Sequence, residues 1–443
     1  MNVAVNHLPV LTWNSNKLNN AVLDINGFAV NGKDETISGF IMADRHKGSG
    51  ADYLIRAALP MGIDCSRNVS SKKLYEMFDK LGINNPAEAI VAGKKPIYNR
   101  QSFGTGMGDG IDELMKDTGC DVYTVSSEYE EVKAVKLNYV YPENEGGLSR
   151  IFIHAKEGSE STFILYFSKK PKACDFLQEC GRCTEQQELL SAENSMAGSQ
   201  KKPGSHADQD AGSGESITES LIAGNQTYLY LEEGARVHIH VVQMLDKEVT
   251  FFNDLGIYQA ESSVLTMTKL DLGAGKVYEG LNNLQAGDRS DFSMDFGYLG
   301  LKDYDIDINY NDVFLGKKAM GRMYFKEALL DNAKKTFRGT LDFRQYSTAS
   351  KGDEQEDVIL LGDEVVNKTI PLILCEEEDV DGRHAATIGS LPEDMLFYMQ
   401  TRGISKKKAQ EIMVRSQLNY ISSLIPSESI QKAVKNAICR VFE

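Results

Sequence analysis

Apolar and polar positions along the chain change period twice, from mixed to two-residue and then to helical. Early on, Leu74, Met77, Phe78 and Leu81 recur at i, i+3, i+4 and i+7, which predicts an amphipathic helix over Ser71 to Lys80, with Gly82 placed to end it. From Asp121 onward the period shortens towards two. Val132 to Tyr139, Arg150 to Ala155 and Thr162 to Phe167 read as short strands between clusters of Gly, Asn, Glu and Ser. The strand texture resumes near Asn225 and continues to Ile388. Its clearest members are Thr227–Leu231, Arg236–Val242, Thr250–Phe252, Ser263–Leu272, Phe292–Phe296, Asp303–Tyr310 and Lys318–Phe325. Irregular steps and the lack of paired hairpin turns suit stacked coils of a parallel β-helix better than a meander, with a sandwich as the alternative. The last stretch is helical again. Ser390 and Pro392 open a helix through Gln400 that Gly403 closes, Ser405 caps a second, and Ile430, Ala433, Val434, Ala437 and Ile438 mark a third.

These periods divide the chain into four parts. Residues 1–183 form a mixed α/β region running into the first strands, 217–389 a mainly β core, and 390–443 a helical domain. Between them, Thr184 to Ser216 holds almost no large apolar residue; it cannot bury enough surface to offset its ordering entropy and is expected to be a disordered insert.

Bulk chemistry excludes more than it selects. A formal net charge of −16 over 443 residues argues against nucleic acid as a partner, because phosphate neutralisation needs a basic face. No apolar run reaches the roughly 18 residues of a membrane span, and Met1 to Trp13 lacks the pattern of a secretory signal. Seven irregularly spaced cysteines fit reduced thiols in a cytoplasmic setting.

Several groups could carry chemistry. Cys174, Cys180 and Cys183 offer three thiolates to zinc or iron, against a reading as incidental surface cysteines. Gly104, Gly106, Gly108 and Gly110 precede a predicted helix, Ile111 to Lys116, and could present N–H groups to an anion, but a mobile turn is the simpler reading. His238 and His240 share one face of a predicted strand, as half-exposed strands often do. Asp303, Asp305, Asp307, Asn309 and Asn311 alternate with apolar residues, the pattern of a two-faced strand rather than of a calcium loop. The densest set is Cys375, Glu376, Glu377, Glu378 and Asp379 with His384, where Cys375, Glu377, Asp379 and His384 could offer soft and hard ligands to iron; a solvated acidic turn is the equal alternative. No nucleotide signature is present, so ATP chemistry would have to come from a partner.

The C-terminal third carries an ordered series of short motifs: Asp307-Ile308-Asn309-Tyr310-Asn311, Phe337-Arg338-Gly339, Leu360-Leu361-Gly362-Asp363 and Pro371-Leu372-Ile373-Leu374-Cys375. His384-Ala385-Ala386-Thr387-Ile388-Gly389, Leu396-Phe397-Tyr398 and Thr401-Arg402-Gly403-Ile404 complete it. Over roughly residues 220–425 this order resembles the SufB/SufD proteins of the SUF iron–sulfur assembly system, closer to the SufD branch. The resemblance implies a right-handed parallel β-helix core, a mixed N-terminal region and a C-terminal helical domain. It implies a non-catalytic scaffold subunit for a transient iron–sulfur cluster or iron. Its partners would be a SufC-type ABC ATPase docked near Phe397, Tyr398, Arg402 and Gly403, a SufB-like subunit or a second copy paired through the β-helix, and a cysteine desulfurase. Against the family pattern, Glu356 stands where SufB has a cysteine, Arg383 and Ala385 replace the glutamates flanking the histidine, and Gly382 replaces a SufD cysteine. His384 is retained. A β-helical adaptor or carbohydrate-binding protein without iron is the rival reading.

Overall fold

The computed structural model describes residues 2–8, 18–24, 62–82, 103–126, 134–141, 147–169 and 221–442. The expected insert at 184–216 and the Cys174, Cys180 and Cys183 group lie outside them. The described chain is mainly β, a parallel solenoid of about seven turns followed by helices.

Two sheets form its walls. The first contains β3 (Ile63–Val69), β4 (Cys120–Val125), β6 (Gly147–Ala155), β8 (Leu221–Leu231), β10 (Val249–Gln259), β12 (Lys276–Gln285), β14 (Asp305–Phe314), β16 (Lys334–Phe343) and β18 (Val366–Cys375). The second contains β5 (Val135–Tyr141), β7 (Glu160–Lys169), β9 (Arg236–Met244), β11 (Val264–Asp271), β13 (Asp291–Gly300), β15 (Met320–Leu330), β17 (Ser350–Leu361) and β19 (Val380–Ser390). Each coil gives one strand to each sheet, and apart from the antiparallel β3–β4 pair all neighbours in both sheets are parallel. The stacked strands therefore begin at β4, well upstream of residue 217.

The corners explain why no hairpin turns were legible. Gly234, Ser262, Arg289, Lys318 and Ala349 each sit two positions before the point where a second-sheet strand pairs, all with φ between 55° and 65°. Four are not glycine, and left-handed backbone there costs about 1–2 kcal/mol per residue. Each N–H donates to a carbonyl of the next coil, as Ser262 does to Asp288 (2.8 Å) and Lys318 to Thr348 (2.9 Å). Stacking offsets the local strain, so the corner repeats without a glycine signature.

Inside, alternate residues from both sheets build one core, including Phe251, Ile257, Met267, Phe296, Ile306, Ile308, Phe325 and Phe343. Ile306, Ile308 and Tyr310 point inward along β14, as the two-faced strand pattern predicts.

The outer face of the first sheet carries a covering layer. It comprises β1 (Asn2–Val5) paired antiparallel with β2 (Ala21–Asp24), helix α1 (Ser71–Lys80), the glycine-spaced loop and helix α2 (Asp109–Met115). One cross-strand row holds it: Arg150, Gln226, Asp254, Gly280, Asn309 and Arg338 stand in register. Arg150 donates to Ser71 Oγ (2.7 Å) and to the Tyr75 hydroxyl, Gln226 to Asp112 (2.9 Å), and Asn309 to the Gly106 carbonyl (3.0 Å). Asp254 accepts from the Met107 N–H (2.9 Å), and Arg338 donates to the Leu18 carbonyl. The glycine loop is thus packed rather than a mobile turn. A Cβ on Gly106 would lie 2.0 Å from the Leu281 nitrogen, and the Met107 N–H of the loop already serves the Asp254 carboxylate.

Helices α3 (Glu393–Thr401), α4 (Lys406–Ser423) and α5 (Glu428–Val441) end the described chain. Ser405 caps α4 by accepting from the Lys408 N–H (3.2 Å). Leu418 and Ile421 of α4 pack on the second sheet at Gly297, where a Cβ would stand 3.1 Å from each. Among the described residues no helix is long and apolar enough to cross a membrane.

Candidate functional site on the last coil

Among the described residues the coil formed by β18 and β19 has a neighbour on one side only, β16 and β17. Its inward side chains are consequently uncovered: Ile373 is 40% exposed and Ile388 44%. His384 points inward here, in register with Glu354 on β17. Its Nδ1 lies 3.1 Å from Glu354 Oε1, and that hydrogen bond raises the imidazole pKa. Burial in turn raises the Glu354 pKa, only partly offset by His384.

Beneath this pair the lumen is not uniformly apolar. Lys335 on β16 bonds both Glu327 of β15 and Glu356 of β17, all three side chains wholly buried; Glu356 also accepts from the Thr369 hydroxyl (3.1 Å). Burial pushes Glu327 up to about 7 despite the lysine. Deeper, Glu279 meets Lys269 and accepts from Tyr310 (3.3 Å) and Asn253 (3.2 Å), and Asn253 accepts from Asn225, which accepts from Ser149. Polar groups therefore recur inside from β6 to the open coil, with carboxyls whose raised pKa values let them hold protons near neutral pH.

The other sequence candidates fall in different places. Cys375 is the last residue of β18, exposed, inward-facing and in register with Phe343. Between it and His384 the inward positions are taken by Ile373 and Gly382, which face each other across the lumen. The acids after it serve the turn. Glu376 accepts from Arg344 (3.1 Å), and Glu377 accepts from the backbone N–H groups of Tyr346 and Glu378 (3.0 Å each); the Asp379 carbonyl accepts from Ala349. Among the described residues no three His, Cys, Asp or Glu side chains gather as a metal site. His240 is buried on β9, which lowers its pKa to about 4.

On α3 no residue is buried, and Phe397 and Tyr398 are 69% and 59% exposed, with Arg402 over the Tyr398 ring at 5.2 Å. Gly403 has φ 82°, and the bonds Gly403 N–H to Gln400 O and Ile404 N–H to Met399 O close the helix. Gly403 thus ends α3. Sequence reading missed Glu354, Lys335, Glu327, Glu279 and Lys269. Their only signal was a charge at an inward register position, visible once the coil repeat is aligned.

Residues 204–417 match the family model described as SUF system FeS cluster assembly, SufBD core domain. This segment carries the SufBD core of the SufB/SufD family. Among its relatives, an iron–sulfur cluster assembly SufBD family protein of Pyrococcus horikoshii is 26% identical over 221 residues, 49% of each chain. The iron–sulfur cluster assembly proteins SufD of Bacillus subtilis and Escherichia coli are 24% and 23% identical over 128 and 113 residues. The matches span about half the length of the first relative and under a third of the other two. The SufBD core segment contains every motif of the C-terminal series, and its residues divide by role. Asp307, Asn309 and Arg338 hold the covering layer, whereas His384 stands on the open coil.

Proposed function

We propose that the chain is a non-catalytic scaffold subunit of an iron–sulfur cluster assembly complex, with the nascent cluster or its iron as cargo. The observation that carries this reading is His384, oriented by Glu354, on an inward face left open at the end of a SufBD core. An imidazole and the Cys375 thiol are ligand types suited to iron. Two inward positions part them, so a complete ligand set would need groups from a second subunit stacked on β18 and β19. Unpaired strand edges and half-exposed isoleucines make that coil a natural docking surface for a SufB-like subunit or a second copy. Helix α3, with Phe397 and Tyr398 exposed, would dock a SufC-type ATPase, since this chain carries no nucleotide signature. A cysteine desulfurase as sulfur donor and a cytoplasmic setting belong to the same reading.

Anaerobic co-purification with the ATPase and the second subunit, followed by a visible spectrum and iron and sulfide counts, tests it. Cluster absorption with stoichiometric iron and sulfide is expected, reduced by Cys375→Ser with His384→Ala. Unchanged loading in that double variant would overturn the ligand assignment, and absence of iron and sulfide from the assembled complex would overturn the scaffold reading. Phe397→Ala with Tyr398→Ala should weaken ATPase association at least about tenfold while leaving the melting temperature in place, as read by titration calorimetry and thermal unfolding.

A further inference from the structure

Three successive strands of the second sheet carry glycine at one inward register: Gly321, Gly352 and Gly382, in line with Phe292. A Cβ on Gly321 would stand 2.7 Å from the Phe314 ring, and one on Gly352 would stand 2.9 Å from Leu341. Side chains of the facing sheet thus reach these backbones directly. The outer face at that level holds a groove of about 410 Å³, a volume within the range of small-ligand sites. Its walls are the residues on either side of the glycine row, among them Asp291, Ser293, Arg322, Lys351, Asp353 and Arg383.

Three cations and three carboxylates line it, counting Asp381, so simple charge does not decide what it takes. Hydrogen-bonding capacity does. Asp353 already accepts from the Tyr324 hydroxyl (3.1 Å) and from Gln355 (3.1 Å). Asp381 accepts twice from Arg383, at 3.0 and 2.7 Å. The donors are less committed. Arg322 lies within the field of the third carboxylate, Asp291, and Lys351 within that of Asp381, but among the described residues neither cation forms a close ion pair; Arg322 lies over the Tyr324 ring at 4.9 Å, and Arg383 keeps one Nη beyond those its carboxylate uses. Donors with spare capacity facing a concavity call for an acceptor-rich ligand. The acidic remainder of the surface opposes this weakly, because charges more than about 8 Å away are screened at physiological salt.

We propose that this groove binds a small ligand bearing carboxylate or phosphate groups, held by Arg322, Lys351 and the remaining donor of Arg383. Neither iron nor a partner subunit is required, so the proposal stands or falls separately from the scaffold reading. Isothermal titration of the full chain with citrate and with pyrophosphate tests it. Saturable binding with Kd of about 1 mM or tighter is expected for at least one, and which one names the ligand chemistry. Arg322→Gln with Lys351→Gln, both exposed and foldable, should weaken it at least about tenfold, whereas Lys326→Gln, outside the groove on the same face, should leave it unchanged. No saturable binding of either probe up to about 10 mM, or the same affinity in the double variant, would overturn the proposal.

Discussion

Replacing Lys335 by methionine should be among the most damaging single changes in the solenoid. The lysine is wholly buried between Glu327 and Glu356, themselves wholly buried. Methionine keeps most of the volume but leaves two carboxyls facing each other with no cation. Breaking a buried ion pair by removing one partner costs about 3–5 kcal/mol, a large part of a typical stability of about 5–15 kcal/mol. The loss should depend on pH in a definite direction. Glu327 already sits near 7 with the lysine present, and losing the lysine's charge raises it further above its unfolded value. Groups raised on folding cost stability as pH climbs through that interval, so the variant should be worst near pH 7–8 and recover towards pH 5. With the Glu327 proton involved the recovery approaches about 1.4 kcal/mol per pH unit at its steepest. Urea unfolding at pH 5, 6, 7 and 8, followed by circular dichroism, reads both effects. Adding Glu327→Gln and Glu356→Gln should restore stability to within about 1 kcal/mol of the parent. A Lys335→Met loss below about 1 kcal/mol, unchanged across that pH range, would show that the three side chains do not act as a charged unit.

Arg338→Met removes the ties to the Leu18 carbonyl and to Asp307 (2.6 Å). Losing charge-assisted bonds of about 2–3 kcal/mol should speed amide exchange in β1 and β2 by roughly 30- to 150-fold while β10 and β12 keep their protection; equal acceleration throughout would contradict a local anchor. His384→Asn should reveal the Glu354 pairing through pH. Because the folded pKa of His384 is raised, its contribution is full below the unfolded value near 6.5 and fades as pH rises through the folded value. The stability gap between parent and variant, measured by urea unfolding, should therefore be largest at pH 5–6 and shrink as pH rises.

How much of this was legible follows the inward residues. Where they are apolar, as at Ile306, Ile308 and Tyr310, period-two alternation announced the strand. Where the lumen carries Glu279, Lys335, Glu354 or Glu356, the alternation breaks, and β12, β16 and β17 were not picked out as strands, although β11 was despite Lys269. The polar groups that make the interior distinctive are the ones that hid its strands. The terminal helices were legible because their caps and stripes are local: Ser405 and Gly403 act within a few residues of themselves. Cys375, Glu377, Asp379 and His384 looked like one cluster because they are close in sequence. A corner intervenes, and strand spacing then places Cys375 and His384 two inward positions apart. The covering layer was beyond reach, since Asn309 and Arg338 look like solvent-facing polar residues until the N-terminal segments lie over them.

A stack of coils is held together almost entirely by neighbours, so its elements need not melt together. Every interior coil is gripped from two sides, and the coil of β18 and β19 from one. Fraying should begin there, taking His384 and Cys375 with it, while the coils under the covering layer stay folded. A subunit stacking on that coil would convert it from a terminus to an interior repeat. The reactive side chains would then gain rigidity at the moment they are enclosed.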